Sequence, residues 1–126
     1  MRYSIQTVSE KTGLSVHTLR YYEKAGVLTG IHRTKGGIRY YTDEDLDLLG
    51  LITCLKNTGM PLREIRAFMQ LKAQGPATLR QRCAILETQR QKVLDSIDAM
   101  QRNLEKVNHK LRCFSEALAD YEAGRA

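Results

Sequence analysis

Cysteine is scarce in this sequence. Cys54, Cys83 and Cys113 are an odd number, with no Cys-X-X-Cys among them. Neither a disulfide framework nor a zinc cluster is indicated, and in a reducing cytosol the three are expected to be thiols. No apolar run is long enough to cross a bilayer, and the opening Met1-Arg-Tyr-Ser4 lacks the apolar core of a signal peptide, so the expected location is the cytoplasm. Enzyme chemistry is also missing. His17, His32 and His109 show no spacing with a second ligand or a nucleophile, and the glycines of residues 30–37 fit neither a phosphate-binding loop nor a dinucleotide fingerprint. Glu10 and Glu23 read as surface acids. No catalytic site, metal or cofactor is expected.

What the chain does have is unevenly placed positive charge. Its 126 residues carry a net +6, enough length for one small domain and one extra element. Residues 1–42 hold seven Lys and Arg against Glu10 and Glu23 alone, whereas residues 43–78 hold four against five acids. A basic excess on one segment is the electrostatic footprint of nucleic-acid binding.

That segment contains two short helical patterns. Residues 5–11 read as one helix, followed by the turn Thr12-Gly-Leu-Ser15. Ser15 is a good N-cap, nothing from Val16 to Ala25 breaks a second helix, and Gly26 is a natural stop. Two helices joined in this way make a helix-turn-helix whose second helix reads DNA. Val16, Leu19 and Ala25 can face a core, with Tyr22 partly so. His17, Thr18, Arg20, Tyr21 and Lys24 are left outside.

The Gly- and Arg-rich residues 29–42 follow. Gly36-Gly37 invites a hairpin turn, and Ile38, Tyr40 and Thr42 alternate with Arg39 and Tyr41 as in a short strand, so a two-stranded wing is expected. Thr42 can cap a third helix whose Asp43, Glu44 and Asp45 complement its positive end, with Leu46, Leu48, Leu49, Leu51, Ile52 and Leu55 toward the core. Pro61 opens a fourth helix with an apolar stripe of Leu62, Ile65, Phe68, Met69 and Leu71, and Gly75-Pro76 ends it.

From residue 78 to 121 there is no proline or glycine. Leu79, Cys83, Leu86, Arg90, Val93, Ile97, Met100, Leu104, Val107, Leu111, Phe114, Leu118 and Tyr121 follow an unbroken 4-3-4-3 spacing, and only Arg90 is not apolar. This is a heptad seam on a helix too long to bury it within so small a domain. The simplest partner is a second copy, and the heptads alone do not choose between parallel and antiparallel pairing.

Ser15-Val-His-Thr-Leu-Arg-Tyr-Tyr-Glu23, Ala25-Gly-Val-Leu28, Gly37-Ile-Arg-Tyr-Tyr41 and Gly59-Met-Pro-Leu-Arg-Glu-Ile65 together resemble the MerR family of bacterial transcription regulators, in register from about Tyr3 to Leu71. The resemblance implies a mostly α fold: a winged helix-turn-helix DNA-binding domain over residues 1–76, then a dimerisation helix over residues 77–121 forming an antiparallel two-stranded coiled coil, and a short tail, residues 122–126. It implies phosphate contacts from Arg20, Tyr21, Arg39 and Tyr41. Ser15, Val16, His17 and Thr18 begin the reading helix, where base edges come within reach, and Arg33 and Lys35 would hold the wing on the backbone. Leu86, Val93, Ile97, Met100, Leu104, Val107, Leu111, Phe114 and Leu118 would hold the dimer.

Dimers of this family are similar in activating promoters whose two polymerase-recognition elements stand too far apart. They bend and untwist the overlong spacer around an inverted repeat, so the implied partners are promoter duplex, a second copy and bacterial RNA polymerase. The segment around Cys54 resembles the NmlR/AdhR-like subgroup, which answers reactive aldehydes or thiol stress, and makes Cys54 the expected sensor. Leu51 and Leu55 would bury it, Gly50 leaves room beside it, and a cation such as Lys56 would be needed to activate it. Two other readings stay open: a metal-responsive regulator using Cys83 and Cys113, which fall at or next to the seam, and a non-sensing architectural DNA-binding protein with an inert core cysteine.

Overall fold

The structure, a computed structural model, describes residues 1–125. The elements follow in the order α1 (Ile5–Thr12), α2 (Val16–Lys24), β1 (His32–Arg33), β2 (Arg39–Tyr40), α3 (Asp43–Asn57), α4 (Leu62–Ala73), a single 3-10 turn at Pro76–Thr78, and α5 (Leu79–Glu122).

Local sequence sets each helix start. Ser4 Oγ accepts from the Thr7 amide at 3.1 Å to open α1, and Ser15 Oγ accepts from the Thr18 amide at 3.0 Å to open α2. Gly13, at φ +76°, lets the chain turn between them through a left-handed conformation that a side chain would resist. At α3, Thr42 Oγ1 accepts from the Asp45 amide and Asp45 returns a carboxylate to the Thr42 amide at 2.9 Å, a reciprocal capping box. Asp45 is buried and spends its charge on this cap. Pro61 stands at the cap of α4, one residue ahead of its first helical position.

The core lies among α1 to α4. Val8, Leu19, Tyr22, Val27, Leu28, Leu49, Ile52, Leu55, Met60, Ile65, Phe68 and Met69 are buried together, with Ile85 from the first turns of α5 packed against them. The compact unit runs Met1–Leu86. A polar latch fixes the chain at the α4–α5 corner: Thr78 Oγ1 donates to the Leu71 carbonyl at 2.5 Å, while Arg82 donates to Thr78 Oγ1 at 3.0 Å and to the Gly75 carbonyl at 2.9 Å. The second unit, from Glu87 onward, is the remainder of α5. Its apolar stripe is bare: Ile97, Met100, Leu104, Val107, Leu111, Phe114 and Leu118 are each about half or more exposed.

Candidate nucleic-acid interface

On α2, the cap at Ser15 and burial of Leu19 and Tyr22 decide which side chains remain outside. His17, Arg20, Tyr21 and Lys24 are exposed, and Val16 and Thr18 are half-buried. The helix end is secured by Arg66 of α4, which donates to the Ala25 carbonyl at 3.4 Å. His17, Thr18 and Tyr21 line a groove of about 490 Å³ with Tyr22, Lys56, Met60, Leu62 and Ile65. Lys56, at the C-terminal end of α3, is therefore a cation beside the reading helix that the linear sequence did not assign to this surface.

The wing is shorter than the alternation suggested. His32 pairs with Tyr40 and Arg33 with Arg39 in an antiparallel ladder. The connection closes with the Thr34 amide donating to the Ile38 carbonyl and the Gly37 amide to the Thr34 carbonyl, both at 2.9 Å, with Gly37 at φ +80°. His32 and Tyr40 stack, ring centroids 5.1 Å apart, and Arg2 lies 4.3 Å over the Tyr40 ring. Lys35 is exposed at the turn.

Tyr41 departs from expectation. It leaves the wing ladder for a bridge with Tyr3, their amides and carbonyls exchanging bonds of 2.7 and 2.8 Å, and it is fully buried. Successive strand residues face opposite sides, so the half-exposed Tyr40 leaves Tyr41 facing the core. Burial raises its phenol pKa, with Glu23 adding to the effect, and its hydroxyl has no hydrogen-bond partner among the described residues. A residue so enclosed is not on the surface offered to a phosphate.

Glu23 also departs from its reading as a surface acid. Its side chain is only 24 % exposed and holds two wing arginines, Arg39 Nε at 2.6 Å and Arg33 at 3.3 Å. Arg33 additionally donates to the Gly37 carbonyl at 3.2 Å. Both arginines thus have intramolecular partners, and Glu23 sets the wing against the reading helix. The sequence contained the clue, an acid within a strongly basic segment, but the 16-residue separation hid the pairing.

Cys54 is exposed on α3, not buried by Leu51 and Leu55. Leu55 is buried and Leu51 half-buried, but Cys54 falls one helical step outside them, on the turn above Gly50, where an added Cβ would meet nothing. Cys83 and Cys113 are exposed as well. Among the described residues no group of three His, Cys, Asp or Glu is placed to hold a metal ion, and no helix is long and apolar enough to cross a membrane.

A family model described as MerR HTH family regulatory protein matches residues 3–72, and one described as MerR, DNA binding matches residues 46–109. The chain belongs to the MerR family. An uncharacterized HTH-type transcriptional regulator of Haemophilus influenzae is 38% identical over 119 residues, 94% of this chain and 88% of that protein. The transcriptional regulator AdhR of Bacillus subtilis is 33% identical over 92 residues, 73% of this chain and 66% of AdhR. Among solved structures, HiNmlR, a MerR family regulator lacking the sensor domain and bound to promoter DNA, superposes with a TM-score of 0.87 at 38% identity, covering 94% of each chain. A MerR family regulator from Bacillus thuringiensis gives 0.81 at 34% identity, over 89% of this chain and 98% of that one. The fold is thus mostly helical, a MerR-type winged helix-turn-helix followed by a long helix, and the chain is a DNA-binding transcriptional regulator of this family.

Proposed function

We propose that this MerR-family chain works in the cytoplasm as a homodimer, binds an inverted repeat within an overlong promoter spacer, and activates RNA polymerase there by distorting the DNA. The observation that carries the reading is the exposed face of α2, with His17, Arg20, Tyr21 and Lys24 outward while Leu19 and Tyr22 anchor the helix from behind. Arg20 and Tyr21 serve the phosphates, His17 and Thr18 the base edges, and the Ser15–Val16 start brings them into the groove. Lys35 meets the backbone, while Arg33 and Arg39 meet it only as a pair shared with Glu23. The bare stripe on α5 supports the homodimer, because so long an apolar seam in water is an interface awaiting its partner. Antiparallel pairing places the two reading units at opposite ends of the coil, where a change in the coil alters their spacing.

Cys54 is the proposed sensor of reactive aldehydes or other electrophiles. Its exposure supports access by such a reagent. The test is transcription in vitro from two promoters that share one inverted repeat and differ only in spacer length. Activation confined to the overlong spacer, gained on aldehyde treatment by wild type and not by Cys54→Ser, is expected. Equal activation of both promoters would overturn the distortion mechanism, and an unaltered response of Cys54→Ser would overturn the sensor assignment.

A further inference from the structure

We infer that the groove between the reading helix and α4 is a binding site for a small aromatic carboxylate. Tyr21 and Tyr22 come to it from α2, Lys56 from the end of α3, Met60 from the turn that follows, and Leu62 and Ile65 from α4. All belong to the compact unit Met1–Leu86, so the groove forms within one chain. Its volume of about 490 Å³ falls in the range of sites that enclose small organic ligands.

The lining defines the ligand. Tyr22 is 2 % exposed, and its hydroxyl is buried with no hydrogen-bond partner among the described residues. Buried hydroxyls are ordinarily paired, because one withdrawn from water without a partner carries an uncompensated desolvation cost. An oxygen acceptor brought into the groove is the partner this phenol lacks. Around it Met60 and Ile65 are buried and Leu62 half-buried, an apolar floor that suits a ring and sets a thioether against its edge. No acid lines the groove. Its fixed charge is Lys56, exposed and without an ion-pair partner among the described residues, so the complement is an anion. A phosphate of the duplex answers the ammonium alone and leaves phenol and floor unfilled. An aromatic carboxylate answers all three, its ring on the floor and its oxygens accepting from Tyr22 and Lys56. The groove is also bordered by His17 and Thr18, which the proposed function gives to base edges. On that reading, bound carboxylate and duplex exclude one another, and the site acts apart from Cys54.

Sodium naphthoate is the probe, titrated by calorimetry into the full-length protein without DNA. One equivalent per chain is expected. Tyr22→Phe, which keeps the ring and removes an unpaired hydroxyl, should weaken binding about tenfold or more while leaving thermal stability unchanged or higher. Lys56→Gln should weaken it and flatten its dependence on ionic strength. Neutral naphthamide should bind more weakly than naphthoate, and Cys54→Ser should bind as wild type. No binding by wild type at millimolar concentration, full affinity in Tyr22→Phe or Lys56→Gln, or displacement of naphthoate by equimolar inorganic phosphate would each overturn the site. Fluorescence anisotropy with labelled duplex tests the exclusion separately: naphthoate should release DNA from wild type and not from Tyr22→Phe. Equal DNA affinity with and without saturating naphthoate would overturn the exclusion, whereas a protein that binds no duplex at all fails the proposed function and leaves the calorimetric result to decide the site.

Discussion

The carboxylate of Glu23 on α2 receives Arg39 Nε of the wing at 2.6 Å, with the same side chain reaching Arg33 through its other oxygen. The two surfaces expected to meet DNA are thereby joined through one acid. This arrangement spends positive charge that a phosphate could otherwise use, and in exchange fixes where the wing stands relative to the reading helix.

Replacing Glu23 by Gln keeps the shape and removes the charge. The pair is partly exposed, so screening limits its contribution to about 1 kcal/mol or less of stability. The larger effect is expected in the wing, where amides of residues 32–40 should exchange faster with solvent while those of α3 and α4 do not change. Chemical denaturation and hydrogen exchange measure the two quantities. Unchanged wing exchange would show that the ladder and the His32–Tyr40 stack hold it unaided.

Much of this arrangement was legible in the sequence, for a definable reason. Helix ends are local events, and Ser15, Thr42, Gly13 and Gly75-Pro76 announce them within four residues. The stripes of α4 and α5 are periodic, so they survive reading in one dimension. Pairings across a gap did not survive it. Glu23 with Arg39, Tyr3 with Tyr41, and Thr78 and Arg82 with the carbonyls of the α4–α5 corner all depend on where the chain returns. Tyr41 and Cys54 were misread on the same ground. One-residue differences in facing separate an enclosed phenol from an exposed one, and an accessible thiol from a core thiol.

Arg20→Ala and His17→Ala separate the two modes of DNA contact. Loss of an arginine on a phosphate should weaken binding to all sequences alike and lower the slope of log affinity against log salt by about one unit. Loss of His17 should change preference among base substitutions in the repeat and leave that slope nearly as it was. Fluorescence anisotropy over a salt series with a small operator panel measures both. A sequence-selective loss in Arg20→Ala would reverse the assignments.

The seam on α5 gives the homodimer a direct test. Leu104 lies well within the stripe and is about half exposed in the single chain. Leu104→Ala should weaken the dimer by an amount on the order of the 2–5 kcal/mol typical of leucine truncation in a core. Leu104→Asp should leave monomers whose residues 1–86 remain folded, because that unit's core includes nothing beyond Ile85. Sedimentation equilibrium reads the first effect, and near-ultraviolet circular dichroism of the tyrosines reads the second. A wild-type monomer at micromolar concentration would defeat the proposal.

At the N-terminal edge, the Tyr3 hydroxyl donates to Asp43 at 2.6 Å, joining the segment before α1 to the start of α3. That hydrogen bond is the main reason the Asp43 carboxyl is held below its ordinary value of 3.8, and the N-terminal ammonium and Lys11 assist. The same bond, with a smaller contribution from desolvation, raises the Tyr3 phenol above 10.0. A depressed carboxyl stabilises the fold above its unfolded pKa, and the benefit is lost as pH falls through the depressed folded value. A raised phenol has the opposite sign: its contribution is complete below pH 10.0 and disappears as pH climbs through the folded value. Tyr3→Phe should therefore return Asp43 toward 3.8, readable as a shifted carboxyl titration by NMR, and should flatten stability against pH at both extremes while changing its shape little near neutrality. An Asp43 titration unmoved by Tyr3→Phe would mean that the ammonium and Lys11, not the phenol, hold that carboxylate.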